Sequence, residues 1–347
     1  MAHVNETKTQ VNETKTQVNE TKTQVNETVK NQSSSNGARG PPMMMTAFAL
    51  TRFILTHPVA FMDHRKMSAD EQRYVRPPRQ YELPSFREGM KYSTSNELYL
   101  RPTRHCNPRE PEVIAMANEL GAYELPDYEF AEATYWFVKE NIQFEMCAFD
   151  SAGTTLTRGT GTCFHYISLF NALCRAAGIK ARYKLFAMNY DRYTGGRGGG
   201  GVDPLWDDLY NSLGYLMSEA EAEVCLDGAW TVAHPATSAE LQAARGLPIT
   251  KLGEDSIGIF FDAVPGTIQQ VESIPLGVDW GTNLLLRITP ATPERVAVAY
   301  QRAAMYGRQV IAEAGGRDAY DNMARERLRL SSPTIAAKDD TALVFED

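Results

Sequence analysis

A chain of 347 residues with 43% hydrophobic content can bury a sizeable core, in one large domain or two modest ones. Its 35 Lys and Arg stand against 43 Asp and Glu, a formal net charge of -8, which argues against generic attraction to nucleic acid or anionic lipid. The five cysteines are odd in number and include no CxxC pair, so neither a disulfide framework nor a zinc knuckle is indicated, no cofactor or metal is implied, and a reducing, cytoplasmic setting fits.

Along the chain, "VNETKTQ" recurs from Val4, Val11 and Val18, with a partial copy from Val25. A seven-residue period suggests a coiled coil, but each unit has one apolar residue where a coil needs two, so residues 1–45 are expected to be a disordered repeat tail. Each unit contains Asn-Glu-Thr, an N-glycosylation acceptor pattern that repetition of one accidental triplet explains equally well. The apolar stretch 43–61 is broken by Arg52, His57 and Pro58 and starts far from Met1, so no stable membrane insertion and no ordinary signal peptide are expected. Residues 46–98 are read as an irregular extension wrapping the core, because the prolines of "RPPRQYELPSF" forbid a long regular element.

A core is expected over residues 99–265. Val113, Ile114, Ala117 and Leu120 lie at helical spacing in a segment that stops at Gly121. Phe130, Ala133, Tyr135, Trp136, Phe137 and Ile142 mark a second amphipathic helix, with Asp127 available as its cap. A buried helix is expected from Thr162 to Ala177, carrying Ile167, Leu169, Phe170, Leu173 and Cys174, with Gly178 as its C-terminal signal. "IKARYKLFAMNY" alternates and reads as a strand, and "TGGRGGGGVDP" (194–204) reads as a flexible loop without the setting of a phosphate cradle. Residues 220–237 read as two strands joined at Asp227-Gly228. A strand and helix extension is expected over 266–335, with its clear helix at 293–314, before a loose acidic tail at 336–347.

Cys163 is read two ways, as a nucleophile or as a small apolar plug at a helix start. A thiolate is the nucleophilic form, and a helix N-terminus lowers a thiol pKa; Gly159 and Gly161 before Cys163 permit an unusual turn that places the sulfur there. Cys174, mid-helix, is expected to be an inert core residue. His165 is expected on another side of the helix, as a polar or partly buried surface residue. His105-Cys106 is a weak metal candidate, and Trp136, Trp206 and Trp230 read as packing aromatics before tunnel walls.

On "FVKENIQFE", "DSAGTTLTRGTGTC", "LFNALCRAAGIKARY" and "AEVCLDGAWTVAHPAT", occurring in that order, the chain resembles the transglutaminase-like superfamily. The resemblance implies an α+β, papain-like fold in which a helix bearing Cys163 packs on an antiparallel sheet. It also implies a cysteine nucleophile with a histidine and an aspartate on two following strands. Aligned on "EVCLDGAW", the histidine position is held by Glu219 and the aspartate position by His234. Base and orienter are exchanged.

The candidate catalytic set is therefore Cys163, Glu219 and His234, and three readings stand side by side. His234 reaches the thiol while Glu219 orients it; or Glu219 itself moves the proton while His234 tunes it; or catalysis is lost, since a carboxylate beside a thiol opposes thiolate formation. The corresponding functions are acyl transfer or amide and peptide hydrolysis through a Cys163 thioester, and an inactive module that binds a peptide or protein partner.

Overall fold

The computed structural model describes residues 73–189, 216–260, 262–264 and 266–331, with isolated helical positions between 51 and 63. The repeat tail, the glycine-rich loop at 194–204, Trp206 and the acidic tail lie outside the described residues.

Helix α1 (Pro111–Glu119) begins on a proline, whose fixed φ suits a first helical position, and the chain leaves it through Gly121 at φ +92°. Helix α2 (Asp127–Asn141) starts one residue earlier than its expected cap: Pro126 is the cap and Asp127 is already helical. Its carboxylate there still complements the helix dipole. Between them the two helices bury Val113, Ile114, Met116, Phe130, Tyr135 and Val138.

A short strand β1 (Gln143–Phe144) pairs in parallel with β2 (Thr160–Gly161), and helix α3 (Ala152–Arg158) lies between them. The sequence "AGTTLTR" has no apolar period, which is why this helix escapes pattern reading. It is fixed locally instead, by Ser151 accepting from the Thr154 N–H and by left-handed Gly159 at φ +76°.

Helix α4 (Cys163–Ala176) is buried along nearly its whole length and ends through Ala177 and Gly178, the latter at φ +85°. Strands β3 (Ala181–Asn189), β4 (Leu216–Leu226) and β5 (Ala229–Ala233) follow, all antiparallel. The β4–β5 turn puts both Asp227 (φ 51°) and Gly228 (φ 81°) in the left-handed region, as a two-residue hairpin of matching twist requires. Alternation divides the sheet faces: Ala181, Tyr183 and Leu185 of β3 with Ala220, Ala222 and Val224 of β4 join Ile167, Phe170 and Leu173 of α4 in one core. Each large apolar side chain so buried stabilises the fold by about 1.5–3 kcal/mol. The fold is α+β, with the helix bearing Cys163 packed on an antiparallel sheet.

Helix α5 (Ala239–Ala244) comes next, then strands β6 (Asp262–Ala263) and β7 (Gln269–Val271), which both pair with β3 on the side away from β4. Helices α6 (Leu276–Ile288), α7 (Ala291–Glu313) and α8 (Arg317–Ser331) complete the described chain. Of these, α7 is the helix expected at 293–314. In α8, "RDAYDNMARERLRLS" is too polar to announce itself; Tyr320 and Ala324 alone are its buried positions in the small cluster around Ala239, Ala243 and Ile249.

Before α1, irregular chain runs across the core and is held by polar contacts: Arg76 pairs with Glu145 at 2.8 Å, and Tyr81 Oη donates to the Leu156 carbonyl at 2.7 Å. Among the described residues no helix is long and apolar enough to cross a membrane.

Candidate active site

Cys163 is the first residue of α4, and extended Thr162 (φ −83°, ψ 174°) turns the chain into the helix. Free amides at a helix start point toward whatever lies beyond it. Here the backbone N–H groups of Cys163 and Phe164 are directed at the Cys163 sulfur.

Strand β4 crosses α4 and supplies the facing group. Glu219 pairs with Phe186 of β3, and one pair further on the ladder slips between Ala187 and Met188. Such a bulge sharpens local twist and re-aims side chains. The Glu219 carboxylate lies within hydrogen-bonding range of the Cys163 thiol, and its Oε1 also accepts from the Ala220 N–H at 3.1 Å.

The electrostatics reverse one expectation. The helix start was expected to lower the thiol pKa, yet the Cys163 thiol is held well above its ordinary value. Burial is the largest cause, the negative charge and hydrogen bond of Glu219 add to it, and the two amides oppose without prevailing. Glu219 is itself pushed up to about 7, first by burial and also by the like charge of Glu221, against the Ala220 amide and the thiol.

His234 sits elsewhere in the bonding pattern. It follows Ala233, the last residue of β5, whose partner is Ala222, so Glu219 lies three residues further along β4. The imidazole is 1% exposed, its Nε2 is 3.2 Å from Thr237 Oγ1, and its ring centroid is 6.1 Å from that of Phe260. Burial, followed by the Lys139 and Lys184 charges, lowers its pKa to about 3, so it is a neutral ring at ordinary pH. The end of β5 is clamped from below: the His234 carbonyl accepts from Tyr135 Oη at 3.3 Å, and the Thr237 carbonyl accepts from buried Lys139 Nζ at 2.7 Å. Thus Glu219 is the group brought to the thiol, while His234 Nε2 lies beside Thr237 Oγ1.

Next to Glu219 along β4, Glu221 is fully buried, 2.9 Å from Lys184 Nζ, and its Oε1 accepts from the Ser256 N–H at 2.8 Å. Lys184 also reaches Asp255 at 2.8 Å. Burial works against its charge, but Glu221 and Asp255 outweigh that and raise its pKa.

His165 corrects a second expectation. Instead of lying at the surface it is 2% exposed: Nδ1 accepts from the Thr162 N–H at 3.0 Å, and Nε2 is 3.2 Å from Asp150 Oδ1. The available signal was the spacing Thr-x-x-His, which places an acceptor where a capping box has one. His105 is buried against Asp279 at 3.1 Å, and among the described residues no group of three or more His, Cys, Asp and Glu is placed to hold a metal ion. Cys174 is fully buried, and burial raises its thiol pKa. Trp136 packs edge-on to Tyr135, and Arg182 stacks on Trp230 at 3.9 Å.

Residues 114–235 match the family model Transglut_core, described as the transglutaminase-like superfamily. The match takes in Cys163, Glu219 and His234. A solved structure from Cytophaga hutchinsonii, described as a candidate cysteine protease, shares 19% identity over 50% of this chain and 50% of its own, with a TM-score of 0.30. The chain therefore spans half the length of that protein. No curated protein matches the sequence.

Proposed function

We propose that the transglutaminase-like core performs thiol-dependent acyl transfer or amide hydrolysis, with Cys163 as the nucleophile and Glu219 as the group that takes and returns its proton. One observation carries this reading: a carboxylate in contact with the thiol at the start of a buried helix, where the base of a nucleophilic pair must stand.

A thiol pKa far above neutrality means that a standing thiolate is scarce, so the proton leaves as the sulfur attacks. The Cys163 S–H bond breaks toward the Glu219 carboxylate while an S–C bond forms at the carbonyl carbon of an amide or ester. The protonated Glu219 then gives that proton to the departing amine or alcohol, leaving a thioester. Water or an amine then attacks the thioester and gives a proton to Glu219, the S–C bond breaks, and Glu219 returns that proton to the departing Cys163 sulfur. A carboxyl pKa of about 7 suits both directions of transfer near neutrality. In this reading His234 is a neutral ring supporting the site from the end of β5, and the substrate is a peptide, a protein or a small amide. All five cysteines are free, which supports a cytoplasmic setting.

The second reading, an inactive module that binds a peptide or protein, is favoured by the raised thiol pKa. The deciding experiment treats the protein with p-nitrophenyl acetate. The enzyme reading expects a burst of nitrophenolate and an acetyl adduct on Cys163 that hydroxylamine removes. Absence of both in the wild type, or an equal burst from Cys163→Ser, sinks it.

A further inference from the structure

The sulfur of Cys163 is held by the amides of Cys163 and Phe164, so whatever fixes those amides fixes the site. Capping at Thr162 is unusual. In the common capping box the third helical residue is Glu or Gln, a flexible acceptor reaching back to the cap N–H. Here that residue is His165, whose Nδ1 lies 3.0 Å from Thr162 N and 2.9 Å from Thr162 Oγ1. Accepting from an amide makes Nδ1 the unprotonated nitrogen, so Nε2 carries the hydrogen. That hydrogen points at acceptors: Asp150 Oδ1 at 3.2 Å and the Ala148 carbonyl at 3.2 Å, with Cys147 Sγ 3.9 Å away. Asp150 is held in turn by an ion pair with Arg158, and its backbone carbonyl is 3.0 Å from His105 Nδ1. The ring is also gripped by shape, because a Cβ on Gly161 would meet His165 Cβ at 2.5 Å. Phe149 adds an edge-on contact with the ring at 5.6 Å.

Resting on the reading that Cys163 is the reacting thiol, we propose that His165, oriented by Asp150, is a positioning residue for the chemistry at Cys163. The stiff imidazole ties the Thr162 amide to the 148–150 loop and thereby sets the direction of the two following amides. It touches neither the sulfur nor Glu219 in this role. A Glu or Gln could cap the helix; an imidazole with a carboxylate behind it caps the helix in one orientation.

The test uses full-length wild type, H165A, H165Q and D150N with two readouts. The first is the pH profile of Cys163 alkylation by iodoacetamide, followed by peptide mass spectrometry with Cys174 as the folding control. H165A is expected to slow alkylation about tenfold at fixed pH, corresponding to a thiol pKa one unit higher. H165Q, which restores an acceptor at the same helical position, is expected to recover most of the rate. D150N should give a smaller change in the same direction and serves in place of H165A should that variant fail to fold. The second readout is amide hydrogen exchange over residues 162–165, expected to quicken in H165A and slow again in H165Q. Unchanged profile and exchange in H165A, or an H165Q as impaired as H165A, overturns the proposal. Loss and recovery of exchange protection with no burst from p-nitrophenyl acetate in the wild type would uphold the positioning of the amides and remove the nucleophile reading instead.

Discussion

The carboxylate of Glu219 stands against the thiol of Cys163, and in that pairing the sulfur is the weaker acid: Glu219 titrates near 7 while the thiol lies well above its ordinary range. Proton transfer from sulfur to carboxylate is therefore uphill at rest and must be coupled to bond formation.

Glu219→Gln should move two observables in opposite directions. Removing the negative charge lowers the thiol pKa, so alkylation of Cys163 by iodoacetamide at pH 8 should rise by several-fold. Turnover should fall by roughly 10²–10⁴-fold, since the proton acceptor is gone. Parallel kinetics of labelling and turnover across the two proteins give the comparison; a variant that keeps its turnover shows that the base lies elsewhere.

The same residue should leave a mark on stability. A carboxyl raised from 4.5 to about 7 in the folded state binds more protons folded than unfolded between those values. Stability should therefore drop as pH rises from about 4.5 to 7, by no more than about 3 kcal/mol. His234 acts oppositely: its pKa near 3 in the folded state leaves the unfolded chain with more protons from about 3 to 6.5, so its contribution grows with pH. Urea melts of wild type and Glu219→Gln at several pH values isolate the carboxyl, the difference between the two proteins carrying the falling contribution of Glu219.

Lys139 is fully buried, bonded to the Thr237 carbonyl and to Thr250 Oγ1 at 3.2 Å, and burial lowers its pKa to about 7. Between about 7 and 10.5 the unfolded chain holds the extra proton, so stability should increase with pH across that window. Lys139→Met should flatten this slope. It should also loosen the turn after β5, visible as faster amide exchange over residues 236–238.

Two glycines in helices should respond with opposite signs. A Cβ on Gly307 of α7 would fall 1.8 Å from the Glu240 carbonyl oxygen of α5, so Gly307→Ala must push the two helices apart, at a cost of about 2–4 kcal/mol. Gly281 of α6 has nothing within 4 Å of such an atom, and Gly281→Ala should stabilise by about 0.5–1 kcal/mol. Denaturant midpoints with unchanged m-values would report both.

Local physics made much of the site readable in advance. Apolar spacing located α1, α2, α4 and α7, and the Asp227-Gly228 pair located the β4–β5 hairpin, because these elements bury one regular face or need φ above zero at named positions. Cys163, Glu219 and His234 are candidates on other grounds, the helix entry for the cysteine and the family resemblance for the two residues after it. Helix α3 and polar α8 could not be located by spacing: their places are set by a cap, a glycine and a few tertiary contacts instead of a periodic face.

What the sequence by itself determined, then, is the order of elements and the cysteine at the head of a buried helix. Only the tertiary structure decided how those groups combine. Whether a helix start lowers a thiol pKa depends on solvent and neighbouring charge, and here burial and Glu219 overrule the amides. Whether His165 is a surface residue or the keystone of the Thr162 cap depends on a loop folding over it from residues 148–150. Desolvation and long-range contact are sums over groups distant in the chain, and no local pattern carries them.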